Sequence, residues 1–203
     1  MMTCGFFVEL EAARDQETSV ERFLDEALPL VRAEPATGAW FAVRFRRFHY
    51  GIFDVFPDAA AREAHRTGAV AQALAARSSL FAHAPVFHAV DVLDCKLPGT
   101  HTLAHDQKAV FVRMTPQHGR EYDLEALVRS TRLIVDAEPD TTAWLGLKFE
   151  NGDYGIFDAF PTSQARRKHL FGRAPRELIK HFRLLGKFPR LSMMDVRAEA
   201  FAG

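Results

Sequence analysis

The chain has 203 residues, and its 26 basic and 26 acidic side chains leave a formal net charge of zero. With 48% apolar and 26% charged residues it has the composition of a folded globular protein, which excludes a disordered chain, and the zero balance excludes a strongly basic whole-protein field for nucleic acid. No run of about 18 apolar residues occurs, so no membrane-crossing helix is expected, and Met1-Met2-Thr3-Cys4-Gly5 lacks the basic region and apolar core of a signal peptide.

Two cysteines, Cys4 and Cys95, are too few for a disulfide framework and read as reduced thiols of a cytoplasmic protein. The 18 phenylalanines predict an unusually aromatic core, because Phe buries a large area without a polar handle.

In chain order, Phe6–Glu11 predicts a strand. Thr18-Ser19-Val20-Glu21 has the spacing of a capping box. Val20, Phe23, Leu24, Ala27, Leu28 and Val31 then follow the 3–4 residue spacing of an amphipathic helix, which Pro35 closes. Trp40–Phe45 and Tyr50–Phe56 are aromatic and β-branched, as strands of a hairpin are. Pro57-Asp58 opens an Ala-rich helix broken at Gly68. Val86–Val92 predicts a last strand.

The same series returns 104 residues later. Ala33-Glu34-Pro35 recurs as Ala137-Glu138-Pro139, Thr37 as Thr141, and Ala39-Trp40 as Ala143-Trp144. Tyr50-Gly51-Ile52-Phe53-Asp54 recurs as Tyr154-Gly155-Ile156-Phe157-Asp158, Phe56-Pro57 as Phe160-Pro161, His65 as His169 and Gly68 as Gly172. Over residues 33–68 against 137–172, 18 of 36 positions are identical without a gap, which marks a duplicated domain. In the second copy, Leu124, Leu127, Val128 and Val135 carry the first helix, Asn151-Gly152 the hairpin turn, Pro175 the start of a fresh helix and Leu191–Val196 the last strand. The domains expected are 1–98 and 106–203, joined by a turn-rich linker at 99–105.

The order β-α-β-β-α-β is the ferredoxin-like arrangement, an α+β fold with helices on one face of an antiparallel sheet. The uncovered face needs an apolar partner, and a second copy in the same chain supplies one. The expectation is an intrachain pseudo-dimeric α/β barrel. A four-residue hairpin loop would set Phe149 opposite Tyr154 and Leu147 opposite Ile156. One face would then carry Tyr154, Ile156 and Asp158, and the other Trp144, Gly146 and Lys148, with copy one alike.

Trp before the hairpin, Tyr-Gly-Ile-Phe-Asp-x-Phe-Pro on the third strand and Ala-Arg-x-x-His-x-x-Gly on the next helix resemble the antibiotic biosynthesis monooxygenase domain of the dimeric α/β-barrel superfamily. The resemblance covers nearly all of both copies. It implies oxygenation of a small aromatic, quinol- or polyketide-like substrate by molecular oxygen, with neither flavin nor metal as cofactor. It also implies the pairing of two domains, here within one chain, with further homo-oligomers open. The Asn, Trp and His set of the haem-degrading branch is not reproduced. Ala75 and Ile179 stand where its Trp–His spacing would be completed, and strand one has no Asn in either copy. Nor does the Asn-Trp-Tyr-Arg block of the anthrone oxygenases appear.

Asp54 and Asp158 are the candidate bases, each one carboxylate on an apolar face, where burial raises its pKa toward neutrality. The alternative is an Asp that ends its strand by binding backbone N–H groups. Tyr50 and Tyr154 are candidate donors to a substrate oxygen, or core residues with the hydroxyl at an edge. His65 and His169 are candidate proton shuttles, or caps of a helix end. Trp40 and Trp144, with Arg44 and Lys148, are the candidate substrate-binding residues. His101 and His105 have metal-like spacing but no third ligand, so no metal site is expected.

Charge divides unequally, with −3 over residues 1–99 and +3 over 100–203. Copy two's second helical region holds nine basic residues from Arg166 to Arg190 against Glu177 alone. This predicts either a solvated face or steering of an anionic substrate or partner. No nucleic-acid reader motif accompanies it. The competing reading of function is a small apolar-ligand-binding or structural protein without turnover on the same fold.

Overall fold

The computed structural model describes residues 1–98 and 107–201. The proposed linker, with His101 and most of its neighbours, and His105 lie outside the described residues. The elements are β1 (Cys4–Glu11), α1 (Glu17–Arg32), β2 (Ala39–Arg46), β3 (His49–Phe56), α2 (Ala59–Thr67), α3 (Ala69–Ala76), β4 (Val86–Lys96), β5 (Lys108–Met114), α4 (Glu121–Asp136), β6 (Ala143–Phe149), β7 (Tyr154–Phe160), α5 (Ser163–Leu170), α6 (Arg173–Lys180) and β8 (Arg190–Phe201). Short 3₁₀ turns at Ser78–Leu80 and Phe182–Leu184 follow α3 and α6.

The eight strands form a closed barrel in the order β1-β3-β2-β8-β5-β7-β6-β4, so the α+β duplicated ferredoxin-like expectation holds. Each repeat keeps its own four strands adjacent, and its long last strand also pairs with the second strand of the other repeat. Val90–Lys96 of β4 pairs with β6, and β8 pairs with β2 from Asp195 to Phe201. Two compact units result. Among the described residues, unit one gathers Met1–Ala89 with 195–201, and unit two gathers Val90–Pro98 with 107–194.

In unit one, α1 buries Val20, Phe23, Leu24, Ala27 and Val31. Leu28 is only partly buried against the same cluster. The expected capping box does not form. The helix starts at Glu17 with Gln16 as N-cap, so Thr18 already lies inside it. Glu21 is drawn away to Arg44, Tyr50 and Arg197, where charge-assisted partners outcompete a cap. Asp58 caps α2 by accepting from Ala61 N at 2.8 Å, and Thr162 caps α5 by accepting from Ala165 N at 3.1 Å.

The hairpin register differs by one residue from the sequence expectation. Phe149 N donates to Asp153 O at 2.8 Å and Gly152 N to Phe149 O at 2.9 Å, so the loop is three residues, Glu150-Asn151-Gly152. Gly152 takes φ +83°, the left-handed position that such a loop requires. In copy one the same position is Phe48, at φ +66°. Losing one loop residue inverts the parity. Lys148 pairs with Tyr154 and Trp144 with Asp158, as Arg44 does with Tyr50 and Trp40 with Asp54. Trp, Tyr, Ile and Asp therefore share one face, and in unit one Trp40, Tyr50 and Ile52 join α1 in a single buried cluster.

Candidate functional site

The centre of each unit is built where β3 or β7 passes under the following helix. Trp40 and Asp54 are paired across the hairpin, and Phe6 of β1 lies on the other side of Asp54. His65, the buried residue of α2, points Nε2 to Asp54 Oδ2 at 3.4 Å. Its Nδ1 meets Glu34, which follows α1. Unit two repeats this: His169 Nε2 lies 3.7 Å from Asp158 Oδ2, and Nδ1 lies 2.7 Å from Glu138 Oε2. Thr37 and Thr141 donate to these glutamates at 3.3 and 3.0 Å.

Glu34, Glu138, Thr37 and Thr141 were not among the sequence-selected site residues, although all four are repeat identities. The retained glycine belongs to the same design. A Cβ at Gly68 would stand 2.8 Å from Glu34 Oε1, and one at Gly172 would stand 3.3 Å from Glu138 Oε1. Both glycines have extended backbone, so their role is close approach and separation of two short helices.

Electrostatics follow from burial. Desolvation raises Asp54, against hydrogen bonding and charge from His65 and a backbone bond from Phe6 N. Burial pushes Asp158 up to about 6, opposed by the charge of His169 and reinforced by Glu138. Burial alone would lower both histidines, but their carboxylates prevail: His65 rises to about 9 through Asp54 and Glu34, and His169 rises through Glu138 and Asp158. Each centre is thus a histidine between two acidic side chains that favour its protonated form.

The two units differ at the carboxylate. Asp54 Oδ1 accepts from Phe6 N at 2.8 Å. Asp158 Oδ1 is buried with no hydrogen-bond partner among the described residues. Asp158 and His169 line a cavity of about 270 Å³ whose wall is otherwise mostly apolar, with Leu127, Trp144 and Leu178 prominent. In copy one, Phe6, Phe23, Phe81 and Phe87 stand where unit two has Val110, Leu127, Leu185 and Leu191. Phe6 packs edge-on to Phe56 and Phe87, and Phe23 packs edge-on to Phe81. Phe6, Phe23, Phe56 and Phe81 belong to one buried cluster in unit one, while in unit two Val110 and Phe160 cluster apart from Met114 and Trp144.

The remaining sequence candidates lie elsewhere. Tyr50 donates to Glu21 Oε1 at 3.2 Å, and Arg44 pairs with Glu21 and Asp195. Burial and the charge of Glu21 push Tyr50 up to about 12. Lys148 pairs with Glu125 and lies 5.6 Å from the Tyr154 ring centre. Tyr and Asp are four residues apart on one strand, about 13 Å. Neither Tyr154 nor Lys148 lines the cavity. Trp144, Asp158 and His169 are brought together; Tyr154 and Lys148 are not brought with them.

No protein-family profile and no curated protein matches the sequence. Solved structures do. A candidate monooxygenase from Fusobacterium nucleatum is 12% identical with a TM-score of 0.88, over 100% of this chain and 95% of that one. A second, from Lactobacillus acidophilus, is 12% identical with a TM-score of 0.84, over 99% and 97%. An uncharacterised ferredoxin-fold protein related to antibiotic biosynthesis monooxygenases, from Listeria monocytogenes, is 8% identical with a TM-score of 0.58, over 97% and 95%. The chain therefore has the monooxygenase-like fold of these proteins, as a tandem duplication within one polypeptide. No helix among the described residues is long and apolar enough to cross a membrane.

Proposed function

We propose that unit two is a cofactor-independent oxygenase site for a small aromatic substrate with an acidic phenol, quinol or activated methylene, and that Asp158 is its base. The observation that carries this reading is the buried carboxylate with an unpartnered oxygen in an apolar cavity. Such an oxygen is stabilised by a donor, and a substrate hydroxyl is one. A carboxylate with a pKa near 6 is ionised at neutral pH yet more basic than an exposed Asp.

The steps balance with dioxygen as oxidant. Asp158 takes the acidic proton. The carbanion, delocalised over the ring, passes one electron to dioxygen. The radical and superoxide combine in a new carbon–oxygen bond, and the peroxide regains the proton from Asp158. Loss of the proton that remains on the oxygenated carbon, with cleavage of the O–O bond, leaves a ketone and releases the distal oxygen as water. His169, its pKa raised by Glu138 and Asp158, lies beside the Asp158 carboxylate and favours its ionised form. Trp144 supplies an aromatic wall.

The test is oxygen consumption over a panel of quinols and anthrones with metal-free protein. Turnover that rises with pH through about 6 and falls at least 100-fold in Asp158→Asn is the expected result. Uptake retained in that variant removes Asp158 from the mechanism. The apolar lining also suits carriage of a small ligand without turnover, and saturable binding with no uptake across the panel would favour that second reading.

A further inference from the structure

The unit-two cavity reaches the surface through an apolar rim that the oxygenase reading does not use. Ile179 and Leu191 line the cavity and are nevertheless 63% and 55% exposed, so α6 and the start of β8 both carry its wall out to solvent. Phe182, also in the lining, packs edge-on against Phe188 with 5.1 Å between ring centres, and Phe188 is 83% exposed. The counterparts 104 residues earlier are Ala75 for Ile179, Ser78 for Phe182, Ala84 for Phe188 and Phe87 for Leu191. Phe87 packs edge-on to Phe6. Three side chains that are small in copy one are therefore large and apolar in copy two, and they border its cavity. An apolar wall explains Ile179 and Phe182. It does not explain Phe188, which lies outside the lining and leaves most of its ring in water, and contiguous exposed apolar groups mark a surface that meets a ligand or partner.

We infer that the aromatic ligand of unit two carries an aliphatic chain on the ring edge away from its hydroxyl, and that this chain leaves the cavity over Ile179, Phe182, Phe188 and Leu191. This rests on the proposed use of the cavity and adds the chemical class of the ring's substituent. Asp158 is buried, whereas Ile179 and Leu191 are exposed. A ligand that reaches from the first to the others has its hydroxyl at the inner end and its far edge at the opening. A polar group at that edge would leave the rim in water, but a hydrocarbon chain removes both itself and the rim from water. A second copy of the chain suits the rim less well. A stable dimer buries about 800 Å² per partner, and four side chains offer on the order of a few hundred. A two-fold contact would also set exposed Lys187 and Arg190, the chain neighbours of Phe188 and Leu191, against their own copies.

The test is equilibrium binding, followed by fluorescence, of 2-naphthol and its 6-ethyl, 6-butyl and 6-hexyl derivatives, whose chains stand opposite the hydroxyl. Affinity is expected to rise about twofold per methylene, as for a half-buried chain, and at least tenfold from the parent to the hexyl compound. The isomer 1-hexyl-2-naphthol, with its chain beside the hydroxyl, should gain less than twofold. Phe188→Ser should cut the hexyl-to-parent ratio at least threefold, and Phe188→Leu should keep most of it. Leu178→Trp, which fills the cavity, should abolish binding of the whole series. No gain with chain length, an equal gain from the 1-hexyl isomer, a ratio unchanged in Phe188→Ser, chain-dependent binding that survives Leu178→Trp, or binding of no member of the series would overturn the inference. So would a dimer in sedimentation velocity, or capture by vesicles of equal parts phosphatidylcholine and phosphatidylglycerol, that Phe188→Ser abolishes, since the rim would then belong to a second copy or to a bilayer. Oxygen uptake separates the inference from the reaction. Chain-dependent binding without uptake leaves the chain standing and sinks the oxygenase, whereas uptake on unsubstituted quinols with no chain-length gain does the reverse.

Discussion

Units one and two share a scaffold and a buried Glu–His–Asp centre, yet phenylalanine rings pack around the first and an apolar cavity reaches the second. Unit one places Phe6, Phe23 and Phe81 in its core and gives Asp54 a backbone donor. Unit two has Val110, Leu127 and Leu185 at those positions and leaves Asp158 with an orphaned oxygen. The contrast teaches that the triad alone does not make a cavity. The same ionic cluster ties strand to helix in both copies, and in unit two it also borders an apolar cavity. On the oxygenase reading proposed above, the unsatisfied carboxylate is retained in the copy that would use it.

The largest effect that would break this contrast is refilling the hollow copy. Val110→Phe, Leu127→Phe and Leu185→Phe together should weaken binding of a naphthol probe more than 100-fold, with the circular dichroism spectrum preserved. Next in size is loss of a buried histidine. His65→Ala strands two carboxylates in unit one and should cost about 3 kcal/mol by denaturant titration. His169→Ala should cost about half as much, because its contact with Asp158 is longer and the adjoining cavity can admit water.

pH sharpens the same comparison. His65 has a folded pKa of about 9, above its ordinary value. Its contribution is therefore complete below about pH 6.5 and is lost as pH rises through about 9. Asp158 is raised to about 6, so its ionisation works against folding at neutral pH. Asp158→Asn should stabilise the protein by about 1–3 kcal/mol at pH 7, with the gain vanishing below about pH 4. The smallest effect is local. Gly152→Ala, at φ +83°, should cost about 1 kcal/mol without moving probe affinity, since the turn fixes register far from the cavity.

Much of this is legible in the sequence. The ungapped 104-residue offset and the helical spacing of Val20, Phe23, Leu24, Ala27 and Val31 gave the element order and the buried faces. Strand faces were not legible, because parity turns on one loop residue and Asn151-Gly152 fits both a four-residue and a three-residue turn. Glu34 and Glu138 were visible as repeat identities, but an acid beside a helix-ending proline looks like a surface residue until the glycine on the next helix brings it to the histidine. The cavity was hidden because it depends on differences between copies. Phe6 against Val110 and Phe23 against Leu127, read pairwise, hold the missing signal. Tyr and Arg looked like site residues because they share the hairpin with Asp, and the distance along the strand separates them.

The most direct measurement compares oxygen uptake of Asp54→Asn and Asp158→Asn, side by side, on the best substrate of the quinol and anthrone panel. The account predicts that Asp158→Asn loses at least 100-fold while Asp54→Asn stays within about twofold of the parent. Equal losses in both variants, or activity that follows Asp54, would contradict the assignment of the working site to unit two.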